Sequence, residues 1–251
     1  MRNRLIGSMF AVLAMLNFSP VTLAQTEQSG TAKAQARTPT ADLSGVWRRQ
    51  PPGPNENKLL RYTFRNKPPL QPSAEYKFSY NSMVPSERMN GKARQEMSPR
   101  YNCMPPGPTQ LLFLKPFELI QSSRRLMIFY EDEQWHWVRQ VWTDGRGHPE
   151  HLDSTWMGHS IGKWEGDTLV VDTVSLNDKT WLDEAGTPHS DALHMVERFR
   201  RVGHDTLEVE FLFDDPKTFT KPWTPKEVFR LIPDGEIYQS YSCADGRKED
   251  Y

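Results

Sequence analysis

The chain has 251 residues, 37% of them hydrophobic, which is enough for one domain with a sizeable core. Its 31 Lys and Arg residues nearly balance 32 Asp and Glu residues, so the net charge is −1. This balance argues against nucleic acid and charged membrane surfaces as partners, because proteins that bind either of them usually carry an excess of basic residues. We therefore expect a small-molecule ligand or substrate.

The first 24 residues predict a secretory signal peptide. Arg2 and Arg4 form a basic start, residues 5–16 are almost uninterruptedly apolar, and residues 22–24 (Thr-Leu-Ala) supply a cleavage site before Gln25. The apolar run is shorter than the roughly 20 residues that cross a bilayer. We therefore expect cleavage after Ala24, a periplasmic or secreted mature protein, and no stable membrane insertion.

Residues 25–41 contain no large hydrophobic side chain, so they predict a disordered leader. One β-barrel-like domain is expected over residues 42–251. In its first part, residues 42–115, prolines recur so often that strands can hardly propagate, because each proline fixes φ and removes a hydrogen-bond donor. This part predicts a Pro-rich segment that wraps over a sheet, with one short helix near residues 73–80 or 86–95.

From residue 116 to 243, short stretches rich in β-branched and aromatic residues recur and end at turn residues. In the clearest stretch, Leu207, Val209, Phe211 and Phe213 alternate with Glu208 and Glu210, as in a half-buried strand. The pattern predicts an all-β fold with a single antiparallel barrel or a strongly curved, lipocalin-like sheet. The predicted strands span residues 117–121, 126–131, 135–143, 154–164, 168–174, 193–202, 206–213, 226–232 and 236–243.

Cys103 and Cys243 are the two cysteines of the chain. An exported protein meets an oxidising environment, so a disulfide between them is expected, and two unpaired thiols are the alternative. The bond would tie the Pro-rich segment to the last predicted strand. By loop entropy it would stabilise the fold by about 4 to 5 kcal/mol.

Residues 144–198 hold five of the seven histidines, together with many carboxylates. Imidazoles titrate near neutral pH, so this window predicts a general acid-base site made of His159, His189, Asp191 and His194. Asp191 is close enough in sequence to His189 and His194 to fix the tautomer of either ring. The alternative is structural: His189 and Asp191 would only bond the backbone of turns.

The same window offers groups that could bind a substrate. Arg146 or Lys179 could stabilise negative charge, and Trp156 and Trp181 could stack on a flat ligand. Asp183 could lie at the mouth of the site. We expect these five residues to contact the substrate.

We expect neither a metal nor a cofactor. His189, His194 and Glu197 match no standard zinc spacing, and residues 194 and 197 point to opposite faces of a strand. Ser160 does not lie in a nucleophile elbow, and the glycines nearby do not form a phosphate loop.

Two sequence blocks carry a family resemblance. GHSIGKWEGDTLVVDT over residues 158–173 and PHSDALHMVERF over residues 188–199 resemble the hallmarks of a large family of exported bacterial β-rich proteins without an assigned function. Shorter blocks, DLSGVW at residues 42–47 and CMPPG at 103–107, extend the resemblance over most of the mature chain. The resemblance implies export and a β-rich fold, and it implies no particular activity. Residues 45–47 also resemble the Gly-x-Trp motif near the first strand of lipocalins.

Two functions of different classes remain. The first is an exported, cofactor-independent enzyme of lyase, isomerase or cyclase type with His159 or His189 as its base. The second is a lipocalin-like protein that binds a small molecule without catalysis. The many titratable groups favour the enzyme, because polar groups in a binding site lower affinity unless the ligand matches them.

Overall fold

A computed structural model of the chain describes residues 41–56, 62–82, 99, 104–131 and 137–238. The predicted signal peptide, nearly all of the predicted leader, Cys103 and Cys243 lie outside these residues, and the disulfide stays a prediction. No helix in the described part of the chain has the length and hydropathy needed to cross a membrane.

Nine strands of the described residues form a closed barrel, so the all-β barrel expected from the sequence is confirmed. Each strand pairs with the next one along the chain, and β1 pairs with β9 to close the barrel. The strands are β1 (Gly45–Arg49), β2 (Phe117–Gln121), β3 (Arg125–Tyr130), β4 (Trp137–Trp142), β5 (His159–Glu165), β6 (Thr168–Val174), β7 (His194–Arg201), β8 (Thr206–Asp214) and β9 (Lys226–Leu231).

One pair departs from the antiparallel pattern that the sequence predicts. β4 and β5 run parallel, with Val141 opposite Ser160 and Trp142 opposite Ile161. The strand number explains this, because a closed ring of nine strands cannot reverse direction at every step. Parallel neighbours need a long connection that returns from one end of the barrel to the other. Residues 143–158 make this connection, and β5 consequently begins at His159, later than predicted.

The helices lie in the Pro-rich segment. α1 (Pro72–Ser82) confirms the first of the two predicted helix positions; the second position, 86–95, lies outside the described residues. α2 (Pro108–Leu114) was not predicted, because its surroundings have the composition of coil. Its proline lies in the first turn, where the missing N–H costs nothing, so the helix tolerates it. The last predicted strand is not formed over residues 236–238, and its remainder is not described.

Inward-facing side chains fill the barrel interior. Trp47, Phe117, Phe199, Phe211 and Phe229 are completely buried. The rings of Phe117 and Phe229 meet edge to face with centroids 5.2 Å apart. Small barrels are normally filled in this way, and each buried aromatic contributes about 1.5 to 3 kcal/mol. These interior positions form a core and not the internal ligand cavity of a lipocalin.

The Pro-rich segment closes the end of the barrel at which β1 and β8 finish. Phe64 lies edge-on to Phe113 of α2, with centroids 4.7 Å apart, and to Phe211 of β8, at 5.4 Å. Trp223 packs on the same ring at 4.8 Å. Phe64 and α2 of this segment therefore pack against one end of the barrel.

A buried ion pair inside the barrel joins β4 to β7. Arg139 and Glu197 are almost completely buried, and the guanidinium contacts both carboxylate oxygens. Arg139 Nε donates to Ser160 Oγ at 3.1 Å and Nη2 donates to Thr173 Oγ1 at 2.8 Å. Burial alone would lower the pKa of Arg139, but the carboxylate of Glu197 raises it above its ordinary value. Four consecutive strands thus each supply one member of this charged cluster.

Removing one member of the pair should destabilise the folded protein more than removing both members. We expect Glu197→Leu to lower the free energy of unfolding by about 3 to 5 kcal/mol, because it leaves a buried guanidinium without its counter-charge. The double variant Arg139→Met, Glu197→Leu should recover most of that loss, since it removes both charges. Urea unfolding of the two variants and the wild type measures this. A double variant that is less stable than the single variant would contradict the account.

Candidate functional site

Four titratable side chains meet on the outer face of the barrel. His159 begins β5, Asp172 lies near the end of β6, and His194 begins β7. His148 comes from the connection between β4 and β5. In the register, His159 lies opposite Val174, so Asp172 is its diagonal neighbour on the same face. We call these four residues the histidine cluster.

Strand alternation explains why the histidine cluster faces outward. Side chains alternate between the two faces of a strand, and Ser160, Thr173 and Glu197 occupy the inner face. Asp172, which precedes Thr173, must then point outward. The same holds for His159, which precedes Ser160.

The contacts within the histidine cluster form a chain. His148 Nδ1 lies 2.7 Å from His159 Nδ1, and His148 Nε2 lies 3.4 Å from Asp172 Oδ1. The same carboxylate oxygen lies 2.9 Å from His194 Nε2. The order is therefore His159, His148, Asp172 and His194, with Asp172 between two imidazoles.

This order fixes the tautomer of each imidazole. A carboxylate can only accept hydrogen bonds, so His148 Nε2 carries a proton and donates a hydrogen bond to Asp172. Neutral His148 then has a lone pair on Nδ1, which accepts a hydrogen bond from Nδ1–H of His159. The lone pair of His159 consequently lies on Nε2, the atom best suited to accept a proton from a substrate.

The surroundings also keep His159 in its neutral form. Burial lowers the pKa of His159, and the nearby positive charge of Arg146 lowers it further. The site is nevertheless open to solvent, since the side chains of Asp172 and His194 are 40% and 44% exposed. A neutral, accessible imidazole is the form that a general base requires at neutral pH.

Arg146 lies close enough to influence His159, as the predicted role in stabilising negative charge requires. Its Nε and Nη2 donate to the carboxylate of Asp144 at 2.8 and 2.7 Å. Its guanidinium also stacks on Trp142, 3.7 Å from the ring centroid. These contacts hold the side chain in place while leaving it partly exposed.

Lys179 and Trp156 are also brought together. Lys179 Nζ lies 5.9 Å from the ring centroid of Trp156. Backbone hydrogen bonds of Thr155 with Ser175 and Asn177, at 2.9 and 2.8 Å, hold the two segments side by side. Because Trp156 precedes β5 by three residues, the pair lies beside the strand end that carries His159.

His189 has a different environment from the one expected for a catalytic base. It is 2% exposed, with Nδ1 3.0 Å from the Ser190 carbonyl oxygen and Nε2 2.6 Å from Thr180 Oγ1. The carbonyl can only accept, so Nδ1 is protonated and Nε2 accepts from the Thr180 hydroxyl. Burial lowers the pKa of His189. Both ring nitrogens hold the loop, as in the structural alternative.

The carboxylate that orients histidines is Asp172 and not Asp191, which corrects the expectation from the sequence. Asp191 instead forms an exposed ion pair with Lys217, with its Oδ1 2.7 Å from Nζ. Sequence proximity to His189 and His194 suggested Asp191, whereas the pairing of β6 with β7 brings Asp172 to His194.

Asp183 and Trp181 are buried and not at the mouth of a site. Asp183 is 2% exposed and accepts hydrogen bonds from the backbone N–H groups of Phe64, Ala185 and Thr187 at 3.1 to 3.2 Å. Burial raises the pKa of Asp183. Trp181 is 5% exposed. Asp183 therefore holds the loop between β6 and β7 against the Pro-rich segment.

Two members of the histidine cluster, His148 and Asp172, were not predicted as site residues. His148 lies in an irregular connection, and only the parallel pairing of β4 and β5 determines where that connection runs. For Asp172 a signal was available, because it is a carboxylate on the outward face of a strand near two histidine-bearing segments. That signal identifies Asp172 as a site residue only when the register of β5, β6 and β7 is known.

Among the described residues, no group of three or more His, Cys, Asp or Glu side chains is arranged to hold a metal ion. The histidine cluster illustrates the reason. His148 and His159 face each other through their Nδ1 atoms, whereas Asp172 contacts the other ring nitrogen of His148. The possible ligand atoms therefore do not converge on one point.

The structure defines an all-β protein, a closed barrel with a histidine and aspartate chain on its outer face. Neither a scan against protein-family models nor a search of the curated proteins finds a match for this sequence.

The arrangement predicts a pKa of His159 below its ordinary value of 6.5. We expect Arg146→Gln to raise this pKa, because it removes a nearby positive charge. Arg230→Gln, on β9, is the matched control and should leave the pKa unchanged. NMR titration of the histidine ring resonances measures all three proteins. A wild-type value above 6.5, or equal values in wild type and Arg146→Gln, would contradict the proposed electrostatics.

Proposed function

We propose that this protein is an exported, cofactor-independent enzyme of lyase, isomerase or cyclase type that acts on a small organic substrate by general acid-base catalysis. The observation that carries the proposal is the chain from His159 through His148 to Asp172. It leaves Nε2 of His159 as the proton acceptor. Such a chain resembles the way enzymes orient a catalytic imidazole with a carboxylate.

In the proposed reaction, His159 Nε2 accepts a proton from a C–H or O–H group of the substrate. The resulting imidazolium keeps its hydrogen bond to His148, and the carboxylate of Asp172 stabilises the positive charge through that ring. The same Nε2 then returns the proton to another atom of the substrate or to a leaving group. The proton is conserved over the cycle, and no oxidant or reductant is needed.

The neighbouring cations suit the charge that this step creates. Proton removal leaves negative charge on the substrate, and fixed positive groups stabilise it most when they are already in place. Arg146 is held by Asp144 and Trp142, so its guanidinium needs little reorganisation. Lys179 and Trp156 offer a second cation and an apolar ring beside the same end of β5.

The packed interior favours the enzyme over the lipocalin-like binding protein. A lipocalin holds its ligand inside the barrel, whereas here aromatic side chains and the Arg139–Glu197 pair occupy the inward positions that are described. The polar groups of the histidine cluster lie on the outer face instead. A binding protein would have little use for a chain of imidazoles with fixed tautomers.

The test follows deuterium uptake because the substrate class is broad, and proton exchange with the solvent can be detected in any compound. The mature protein is incubated in D₂O with a fractionated small-molecule extract, and compounds are followed by mass spectrometry. We expect a compound to be converted, or to gain deuterium, with wild type and with the control variant His151→Gln. The control removes an exposed histidine of the same connection. His159→Gln should slow the conversion by about 10²- to 10⁴-fold, the usual contribution of a general base.

Two outcomes would overturn the proposal. One is conversion by His159→Gln at the wild-type rate, which would place the chemistry elsewhere. The other is a compound that is retained by the protein with neither conversion nor deuterium uptake, which is the behaviour of the binding protein.

A further inference from the structure

An open cavity lies on the outer face of the barrel, where β3 begins and β4 ends. Its volume is about 420 Å³. The lining consists of three arginines, one tryptophan and two serines: Arg124, Arg125, Arg146, Trp142, Ser122 and Ser123. All six belong to the described part of the chain. We call this the arginine cavity.

The arginine cavity has more positive charge than its ion-pair partners neutralise. Asp144 Oδ2 lies 3.2 Å from Arg124 Nη2 and 2.7 Å from Arg146 Nη2. Arg125 forms no ion pair with a carboxylate of the described residues, and its Nη1 donates to the amide oxygen of Gln140 at 3.4 Å. Three guanidiniums therefore share one carboxylate.

The contacts of Trp142 and Asp144 hold these arginines in place. The guanidinium carbon of Arg146 lies 3.7 Å from the ring centroid of Trp142, and that of Arg125 lies 5.6 Å from it. Asp144 also accepts two hydrogen bonds from Arg146, at 2.8 and 2.7 Å. Because the guanidiniums are already restricted, binding an anion between them costs less side-chain entropy.

The charge of the undescribed stretches does not remove this excess. More Lys and Arg than Asp and Glu occur in four of them, residues 1–40, 57–61, 83–98 and 100–103. Residues 132–136 include two acids but connect the opposite ends of β3 and β4, about 17 Å along the strands from Arg125 and Trp142. The acidic tail, residues 239–251, follows Tyr238, whose N–H donates to Glu131 at that same opposite end.

The arginine cavity and the histidine cluster share one face of the barrel. Trp142 lies opposite Ile161 in the parallel pair, and His159 precedes Ile161 by two residues on the same face of β5. The two sites are therefore about 7 Å apart along the strand. Arg146 belongs to the cavity and also lowers the pKa of His159. A molecule of a few carbon atoms can reach from the arginines to His159.

We propose that the substrate of the histidine cluster is a small organic anion, with its carboxylate or phosphate group in the arginine cavity and its reacting C–H or O–H group at His159 Nε2. Guanidiniums bind the oxygens of either group through charge-assisted hydrogen bonds. Proton removal adds a further negative charge to such a substrate, and the excess positive charge of the cavity stabilises it. This inference rests on the proposed function, because it names the substrate class of the same site.

Benzoate and inorganic phosphate are suitable probes, with benzamide as the neutral control. NMR titration of the mature protein at constant ionic strength follows the ring resonances of His159. We expect benzoate or phosphate to bind saturably and to raise the pKa of His159, because a nearby anion stabilises the imidazolium. The anion that binds more tightly identifies the group as carboxylate or phosphate. Absence of saturable binding by both anions, or equally tight binding of benzamide, would overturn the proposal.

Arginine variants locate the bound anion. Arg125→Gln should weaken anion binding about tenfold through the loss of one charge-assisted contact, and Arg124→Gln, Arg125→Gln should weaken it further. Arg200→Gln is the matched control, because it removes an exposed arginine on β7 that pairs with Asp167. This control should bind the anion as the wild type does. Equal affinities in Arg125→Gln and wild type would place the anion outside the arginine cavity and contradict the proposal.

The acidic tail is tested by the triple variant Asp245→Asn, Glu249→Gln, Asp250→Asn, which keeps Cys243. It should bind the anion with wild-type affinity. Anion binding in this variant together with none in the wild type would make the tail itself the occupant of the arginine cavity, and the proposal would then be wrong.

His159→Gln separates this inference from the proposed function. It should bind the anion as the wild type does, because all three arginines remain. In the D₂O experiment the converted compound should carry a carboxylate or phosphate, and Arg125→Gln should raise its KM more than it lowers kcat. Conversion of a neutral compound would leave the proposed function standing and overturn this inference. Anion binding combined with unchanged conversion by His159→Gln would overturn the proposed function, and with it the role of the anion as substrate.

Discussion

The parallel pairing of β4 with β5 is the constraint on which the candidate site depends. A closed barrel of nine strands needs one such pair, and here it requires a connection that returns along the barrel. That connection carries His148 to His159 and Arg146 to the same neighbourhood. An antiparallel hairpin between β4 and β5 would be short and would leave no chain to supply either residue. The topology therefore accounts for the meeting of His148 and His159 at the candidate site.

Strand alternation separates the buried ion pair from the candidate site on these strands. The inward residues Ser160, Thr173 and Glu197 surround Arg139 and connect four strands, including the parallel pair. The residues immediately before Ser160 and Thr173 are His159 and Asp172, and they face solvent. A slip of one residue in register would exchange the two sets, so the buried ion pair also fixes the position of the histidine cluster. The exposed site is thus positioned by a core interaction that it does not contact.

The sequence predicts the barrel well because its signals are local. β2 and β6 have the predicted bounds, and the alternation in β8 identifies its buried face. The site depends on non-local information. The local sequence shows that His189 and Asp183 are polar. It does not show that a neighbouring hydroxyl hydrogen-bonds to His189, or that the backbone of a distant segment hydrogen-bonds to Asp183. His148 was missed for the same reason, because its position follows from the strand count of the whole barrel.

The protonation state of His159 tests the central claim most directly. Nitrogen-15 NMR of the ring distinguishes the two neutral tautomers above the pKa of this residue. The account predicts a proton on Nδ1 and a lone pair on Nε2 in the wild type, with this preference lost in His148→Phe. A wild-type protein with its proton on Nε2, or an unchanged tautomer in His148→Phe, would contradict the hydrogen-bonded chain and its role in proton transfer.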